Sequence, residues 1–585
     1  MASTFTDLGI ELMATGENAG TWGTKTNANL SLIEQLTGGV LSLSIAGGAG
    51  NQDLTIADGA LTGTAQQRVL EFTGTISGAR VIRFPLLTET FYIIKNGTSG
   101  AHTVQLKAVS GSGATVTFAA DDKGYKIIYL DGVATNTGVF DTGITSDNIT
   151  FKEGGTNFTN SLLVGTDSTG TLNDATRNTG VGQGVFAALT SGDNNVAVGA
   201  NALTSITTGS ENVAIGRNAM EKNVSGANNS AVGVRALGCN TTGSSNSAVG
   251  FESLCANTTA ANNTAVGICS LKANTTGAGN TAVGKGALDS NTTGSTSVAV
   301  GCDALCANTT ANNNIAVGCG ALKSNTTATT NTAVGHLALC TNITGAGLTS
   351  VGYNALRKNT GSDNTAIGNV SSACTTSGAS NTSIGGGALK INTTGDSNVA
   401  VGYLALDANT TADDNTAIGT SALTANTTGT ENTALGFKAM LFGTTGSSNT
   451  ALGACTLGGG EVNTGDNNIA IGRKSMFLNA TGADNVAIGN ATLQNNTTAS
   501  NNVAVGMCAL IANTTGACNV AVGRRALDAN VSGSCNTAVG TGALTSLTTA
   551  SSITAVGVCA LNDLTTGTNN NAFGIEAGAN ITTGS

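Results

Sequence analysis

Apolar and polar positions alternate in a strict long-range pattern through the last two thirds of the chain. From Gly165 to Gly574, a glycine preceded by an Ala-Val or Ala-Ile type pair returns every seventeen residues. The repeat Asn212 to Gly216 is typical, because Val213 and Ile215 alternate with Ala214. Such a two-residue period predicts one short β-strand in every repeat.

The seventeen-residue unit is too short for a helical hairpin and contains a polar turn rich in Asn, Thr and Gly. Each unit therefore buries its apolar side chains only by stacking on its neighbours, which predicts a β-solenoid. The 409 residues from Gly165 to Gly574 correspond to about 24 coils, so at ~4.8 Å per coil the solenoid is on the order of 115 Å long. The period changes twice, to sixteen residues before Gly368 and to nineteen before Gly472.

Two sets of positions are predicted to form the interior of each coil. One is the residue before the repeat glycine, and the other is the Leu or Met four residues after it. The first set includes Val198, Ile215, Val232, Val317, Ile471 and Val556. The second includes Leu203, Met220, Leu237, Leu305, Leu406 and Leu527. Asparagines also recur in register in both turns, and stacked amides can hydrogen-bond along the solenoid axis.

An alanine precedes that Val or Ile in nearly every coil, and the two-residue period assigns it to the opposite, outer face. A long stripe of methyl groups is more apolar surface than a soluble monomer normally exposes, so we predict that copies of the chain pack along it, as a homotrimer. The predicted interface residues are Ala197, Ala214, Ala231, Ala265, Ala282, Ala316, Ala333, Ala400, Ala417, Ala434, Ala487, Ala504 and Ala521.

The first 150 residues follow a different pattern and contain the only Trp and the only Pro. A short helix is predicted near Asn29 to Leu36, followed by strand-like runs separated by glycine-rich turns, which favours a β-sandwich. The predicted strands are Leu41–Ile45, Arg68–Thr73, Arg80–Phe84, Thr90–Lys95, His102–Val109, Ala114–Ala119 and Tyr125–Leu130. The predicted domains are an N-terminal attachment segment (1–40), a sandwich (41–138), a linker (139–160) and the solenoid (161–585).

The charge and composition of the chain argue against some classes of binding partner. The net charge of -10, without any basic stripe, argues against nucleic acid. There is no signal-like start and no apolar run of about twenty residues, so we expect synthesis in a cytoplasm and no membrane insertion. The thirteen cysteines include no Cys-x-x-Cys motif. We expect them to be reduced filler residues. Cys302 with Cys319 and Cys518 with Cys535 stand one coil apart in the same register and could meet on oxidation, although the geometry of stacked positions is poor for a disulfide.

The residues that usually carry chemistry are sparse. His102 and His336 are the only histidines, and neither lies near a carboxylate or cysteine cluster in the sequence. The adjacent carboxylates Asp121 with Asp122 and Asp413 with Asp414 are the residue type that glycan hydrolysis uses, but they fall in predicted turns. We therefore expect no catalysis, no cofactor and no metal.

Two resemblances suggest a function. The motifs Asn280 to Gly284, Asn212 to Gly216 and Asn519 to Gly523 resemble the repeat of trimeric autotransporter adhesin heads, which implies a trimeric left-handed β-roll with a shorter coil than this one. The Gly-Thr-Trp-Gly motif (Gly20 to Gly23), with the sandwich after it, resembles the N-terminal part of bacteriophage tail fibres over roughly Met1 to Gly138. That likeness implies attachment to other virion structural proteins through the N-terminal region, with the repeats projecting outward.

The sequence therefore predicts a virion fibre that is assembled in the host cytoplasm and binds a host surface glycan or protein receptor by multivalent contact. The alternatives are a host-encoded trimeric surface adhesin and a glycan-depolymerising tailspike. Ice binding is disfavoured because Thr258 and Thr259 are adjacent and face opposite ways.

Two irregular coils give local predictions. Ser372 replaces the interior Leu in the coil that begins at Gly368, so the solenoid should be weakest there. The nineteen-residue step contains Gly458, Gly459 and Gly460, so it should bulge from a turn.

Overall fold

The computed structural model describes residues 4–5, 11–12, 22–57, 60–145, 151–153, 157–165, 169–459 and 462–584. The chain divides into two compact units, one formed by residues 1–169 and 176–185 and the other by residues 170–175 and 186–585. Most of the predicted attachment segment before residue 22 lies outside the described residues.

Within its described residues, the first unit contains one helix and fourteen strands. They are β1 (Thr4–Phe5), β2 (Glu11–Leu12), α1 (Trp22–Gly38), β3 (Val40–Ser44), β4 (Gly50–Asp53), β5 (Val69–Thr73), β6 (Arg80–Phe84), β7 (Glu89–Asn96), β8 (Val104–Ala108), β9 (Val116–Phe118), β10 (Tyr125–Asp131), β11 (Val139–Thr145), β12 (Phe151–Glu153), β13 (Leu162–Val164) and β14 (Thr179–Val181). The seven predicted strands correspond to β3 and β5 to β10. The predicted linker range contains β11 and β12.

Two sheets face each other across the core of this unit. One has the order β11-β10-β7-β5-β3 and the other has the order β4-β6-β8-β9. Within them β3, β5 and β7 run parallel, as do β4, β6 and β8. Successive strands thus alternate between the sheets, so three wide coils stack and antiparallel β9, β10 and β11 complete the sheets. The two sheets match the predicted sandwich, but the parallel coiling was not predicted.

Large side chains fill the space between the two sheets. Phe72, Phe84, Tyr92 and Phe118 are each at most 2% exposed. The rings of Phe84 and Tyr92 have centroids 5.1 Å apart, and the Tyr92 hydroxyl donates a hydrogen bond of 2.6 Å to the carbonyl of Ala65. This is a densely packed core that satisfies its one buried phenol.

The helix α1 is longer than the sequence predicted. It runs over seventeen residues, from Trp22 to Gly38, and buries Leu32 completely. Its end is marked by Gly39, whose N–H donates a 2.9 Å hydrogen bond to the carbonyl of Gln35. The two consecutive glycines, 38 and 39, are consistent with the usual preference for glycine just past a helix end.

The second unit is the predicted β-solenoid, with one three-residue strand in each coil. Its strands are β15 (Val196–Val198), β16 (Val213–Ile215), β17 (Ser230–Val232), β18 (Ser247–Val249), β19 (Thr264–Val266), β20 (Thr281–Val283), β21 (Val298–Val300), β22 (Ile315–Val317), β23 (Thr332–Val334), β24 (Thr349–Val351), β25 (Thr365–Ile367), β26 (Thr382–Ile384), β27 (Val399–Val401), β28 (Thr416–Ile418), β29 (Thr433–Leu435), β30 (Thr450–Leu452), β31 (Ile469–Ile471), β32 (Val486–Ile488), β33 (Val503–Val505), β34 (Val520–Val522), β35 (Thr537–Val539), β36 (Thr554–Val556) and β37 (Asn571–Phe573).

Adjacent coils pair in parallel without any shift of register. Ala214 on β16, for example, is paired with Ala231 on β17, and Val249 on β18 with Val266 on β19. Register is kept even across the sixteen-residue coil, where Thr349 pairs with Thr365. The same seventeen-residue position therefore forms a column that runs along the unit.

The nineteen-residue step also leaves the strands in register, because β30 and β31 pair residue for residue. The two extra residues lie between β30 and β31, and the bulged turn stays a prediction because part of this segment lies outside the described residues. Gly458 and Gly459 are described there, whereas Gly460 lies outside the described residues.

The glycine after each strand has a strict steric role. Gly318 has a φ of +136°, and a Cβ added to it would stand 2.4 Å from the carbonyl oxygen of Gly335 in the next coil. Both the left-handed backbone and the close approach exclude a side chain. Glycine therefore recurs once in every coil, because the backbones of adjacent coils come closest at this position.

Candidate interaction surface

The thirteen alanines predicted to form the outer face lie inside the coils. Each of these side chains is 0% exposed in the single chain. The prediction that these alanines form an outward-facing interface is therefore wrong. The prediction that the Val or Ile before each repeat glycine points into the coil is wrong as well. Val198, Ile215 and Val232 are 37%, 40% and 38% exposed, and Val317, Ile471 and Val556 are half-buried.

The error is one of phase, since a shift by one residue exchanges the two faces of a strand. The interior is narrow because the Leu or Met four residues after the glycine already occupies it. Leu203, Met220, Leu237, Leu305, Leu406 and Leu527 are all 0% exposed, as predicted. The middle residue of each strand from β15 to β37 is correspondingly small, serine at 350 and 383 and alanine in all the others.

Asparagine side chains fill the rest of the interior. In one ladder the Asn240 Nδ2 donates to the Asn223 Oδ1 at 2.8 Å and to the Gly243 carbonyl at 2.9 Å. In the other ladder Asn246 Nδ2 donates to Asn229 Oδ1 at 3.1 Å. These residues are 0% exposed, which confirms the predicted amide ladders and shows that these amides serve the fold rather than a ligand.

The outward face of the sheet is instead formed by the first and third residues of each strand. The third-residue column holds Val, Ile or Leu in every coil before β37. Eleven members of that column are 37–42% exposed, namely Val198, Ile215, Val232, Val249, Val266, Ile367, Ile384, Ile418, Leu435, Leu452 and Ile488. Neither column contains a charged residue between β15 and β37. We call these two columns the sheet face.

A second set of apolar side chains borders the sheet face. The residue directly after the repeat glycine is large and apolar in eight coils before the last. The first of the eight, Val234, is half-buried, and the other seven are exposed. These seven residues are Phe251, Ile268, Tyr353, Tyr403, Phe437, Met507 and Val558, with exposures of 43–60%. The His336 ring stacks on Tyr353 with centroids 5.7 Å apart, so this histidine belongs to the same exposed column. We call this column the border column.

A groove of about 630 Å³ is lined by charged side chains from four successive coils, Arg235, Glu252, Lys272 and Asp289. Glu252 forms ion pairs of 3.0 Å with Arg235 and 2.9 Å with Lys272, and the hydrogen bond from Lys272 lowers the pKa of Glu252. Burial raises the pKa of Asp289 at the groove's end. Positive and negative groups neutralise each other here, so the groove presents no net charge to a ligand.

The two carboxylate pairs singled out in the sequence are engaged in local contacts. Asp122 forms a 3.4 Å ion pair with Lys126. Asp413 Oδ1 accepts a 2.7 Å hydrogen bond from the N–H of Asp396 in the preceding coil. The two pairs belong to different units, and His102 lies in the first unit, remote in sequence from His336 in the second.

Within the described ranges, no group of three or more His, Cys, Asp or Glu side chains is placed to hold a metal ion. No helix in the described parts of the chain has the length and apolar character that crossing a membrane requires.

Comparisons with known proteins add no relative. No protein-family model, no curated protein and no solved structure matches this chain significantly. The sheet face and its border column are thus the surface features that bear most directly on function.

Proposed function

We propose that the protein is a structural fibre whose chains associate lengthwise through the sheet face. The observation that carries the proposal is the unbroken column of half-exposed Val, Ile and Leu side chains on a sheet face without charges. Parallel sheets normally have both faces covered, because their strands are apolar on both sides. In the single chain the inner face is covered by the coil interior, and the outer face has no cover.

The area of the sheet face supports association. Twenty-three strands from β15 to β37 at ~4.8 Å extend over about 105 Å, and the two columns with the border column are about 10 Å wide. The face is therefore on the order of 1,000 Å² per chain, above the ~800 Å² that each partner buries in a typical stable complex.

Three chains are the number we propose. The strands lie side by side along the solenoid, so the sheet face is a continuous strip through which each chain would contact two neighbours around a common axis. Cyclic closure of this kind buries the strip in every copy and leaves no unpaired face for open-ended aggregation. The thirteen alanines remain essential in this arrangement, but as interior residues that permit the coil.

We further propose that the fibre is a virion appendage, attached through its N-terminal region to other virion proteins and presenting the solenoid to a host surface glycan or protein. Support comes from the resemblance of the Gly20 to Gly23 motif and of the repeats to the families named above. A long solenoid repeats the same exposed turns dozens of times across three chains, which suits multivalent contact by weak sites. No catalytic role is proposed.

Paired substitutions test the association. Val249→Lys with Val266→Lys places two charges on neighbouring strands of the sheet face and should convert the assembled protein to monomers in light-scattering mass measurements. The matched control is Thr242→Lys with Thr259→Lys, which adds the same charge at exposed turn positions of the same two coils and should leave the mass unchanged. Monomers before any substitution would refute the proposal.

Antibodies against the solenoid test the location. Labelling of purified virus particles from the source is expected. Labelling of host cells in the absence of virus would instead favour the surface adhesin.

A further inference from the structure

Two pairs of cysteines occupy matching positions in adjacent coils. Cys302 and Cys319 directly follow the repeat glycines Gly301 and Gly318, in the border column. Cys518 and Cys535 occupy the same turn position in the coils that follow Gly506 and Gly523. All four side chains are exposed and reduced in the structure.

The spacing of the coils brings each pair within disulfide range. Residues of the same column in neighbouring coils are ~4.8 Å apart, inside the 4.4–6.8 Å range of Cα separations in disulfides. Cys518 and Cys535 both have a φ of +59°, so their Cα–Cβ bonds are parallel. The Cβ atoms must then tilt together by less than about 1 Å to reach the usual ~3.8 Å. These positions lie in turns, outside the three-residue strands.

Local contacts hold both pairs in place. The N–H of Cys518 donates to the Ser500 carbonyl at 3.2 Å, and the N–H of Cys535 donates to the Ala517 carbonyl at 3.0 Å. The carbonyl of Cys302 accepts a 2.9 Å hydrogen bond from the N–H of Gly320, the residue after Cys319. Backbone hydrogen bonds thus join the two coils beside each pair.

The other nine cysteines lack this arrangement. None of them has a cysteine at the same repeat position in the next coil. The nearest competitor is Cys239 with Cys255, whose backbones share a 2.9 Å hydrogen bond. These two occupy different columns, however, and Cys255 is only 7% exposed. Burial raises the pKa of the Cys255 thiol, which disfavours the reactive thiolate.

We propose that Cys302–Cys319 and Cys518–Cys535 are oxidation sites that form two disulfides between adjacent coils. The oxidant is a small-molecule disulfide of the glutathione type. One thiolate attacks it and releases one small thiol, and the second thiolate then attacks the mixed disulfide and releases the other. Each pair loses two electrons and two protons, and each oxidant molecule becomes two thiols. The bonds fasten neighbouring coils after the chain leaves a reducing compartment.

The rate of closure should depend on pH at the first pair. Partial desolvation, together with the Asp303 carboxylate, raises the pKa of the Cys302 thiol. A larger fraction becomes thiolate as the pH rises, so this pair should close faster at higher pH.

Counting thiols tests the proposal. The full-length protein is incubated with oxidised glutathione, unfolded and alkylated. Of thirteen thiols, nine should remain reactive, and digestion without reductant should yield peptides that link 302 to 319 and 518 to 535 within one chain. Cys302→Ser should leave one unpaired thiol at 319 and abolish only the first linked peptide, and Cys518→Ser should abolish only the second.

The matched control is Cys239→Ser, which removes a member of the nearest competing pair and should leave both linked peptides intact. Thirteen reactive thiols, stable glutathione adducts at these positions, or disulfides between chains would each overturn the proposal. Cys518 and Cys535 lie outside the sheet face and the border column, so the peptide that links 518 to 535 should form whether or not the chains associate.

Discussion

The two units build parallel coils in opposite ways. In the first unit three wide coils enclose a core of large side chains, such as Phe72, Phe84 and Phe118, and every coil has a different sequence. In the solenoid a typical narrow coil encloses one Leu or Met, two Ala and two Asn side chains, and this set is repeated with little change. The first core is stabilised by apolar bulk, whereas the second combines a thin apolar core with hydrogen bonds that continue from coil to coil.

The comparison shows what repetition permits. Buried amides are costly in an ordinary core unless every donor and acceptor is satisfied. In register, each amide satisfies the next one, so identical coils can bury polar side chains as a matter of course. The disadvantage is that substitution of one such residue is poorly tolerated, because it interrupts the hydrogen bonds that run along its column.

The repeat glycine gives the largest expected effect. Gly318→Ala should destabilise the surrounding coils by about 4 kcal/mol, because the new Cβ would meet the Gly335 carbonyl at 2.4 Å in a backbone region closed to side chains. Native-state hydrogen exchange of the coils around β22 measures it. Gly386→Ala is the control, since a Cβ there would make only an ordinary 3.5 Å contact with Tyr403. Equal effects of the two variants would show that sterics do not set the period.

The amide ladder gives the next effect. Asn246→Ala removes the acceptor of the Asn263 N–H and the donor to the Ala260 carbonyl, both buried. Leaving these groups unpaired should cost about 2 kcal/mol or more and weaken exchange protection on both sides of the coil. The exposed neighbour Asn262, with a φ of +61°, is the control, and Asn262→Gly should cost only a few tenths of a kcal/mol. A cost confined to a single coil would contradict the ladder.

These two sites show how far sequence analysis reaches. The period, the strand in each coil, the interior position of Leu305 and the amide columns were all predicted, because identical residues at a fixed spacing must stack. The phase of the strand was not, because Ala and Val are both apolar and only the width of the coil decides between them. In the first unit β4 was missed, since its sequence Gly-Asn-Gln-Asp has no apolar alternation.

High pH should destabilise the first unit more than the solenoid. Burial raises the pKa of Tyr92 far above the ordinary value of 10.0, so the folded first unit keeps a proton that the unfolded chain loses. Stability from this group is complete below pH 10.0 and falls above it by about 1 kcal/mol per pH unit. Unfolding followed by circular dichroism from pH 9 to 12 should show the first unit melting before the solenoid. Tyr92→Phe should flatten that pH dependence, and an unchanged profile would contradict the assignment.

The smallest effect concerns the coil that begins at Gly368. Ser372 and Ser383 are buried, and their hydroxyls are joined by a 2.8 Å hydrogen bond, where other coils have Leu and Ala. Restoring the common pair with Ser372→Leu and Ser383→Ala should stabilise this coil by about 1 kcal/mol and raise its hydrogen-exchange protection to that of its neighbours. Uniform hydrogen-exchange protection along the unmodified solenoid would contradict the prediction that this coil is the weakest.

Sedimentation equilibrium of the full chain in dilute buffer tests the central claim most directly. Lengthwise association through the sheet face predicts a stable species of three times 57.2 kDa, with the solenoid folded. A folded species at 57.2 kDa across the concentration range would show that water covers the Val and Ile columns, and it would contradict the account.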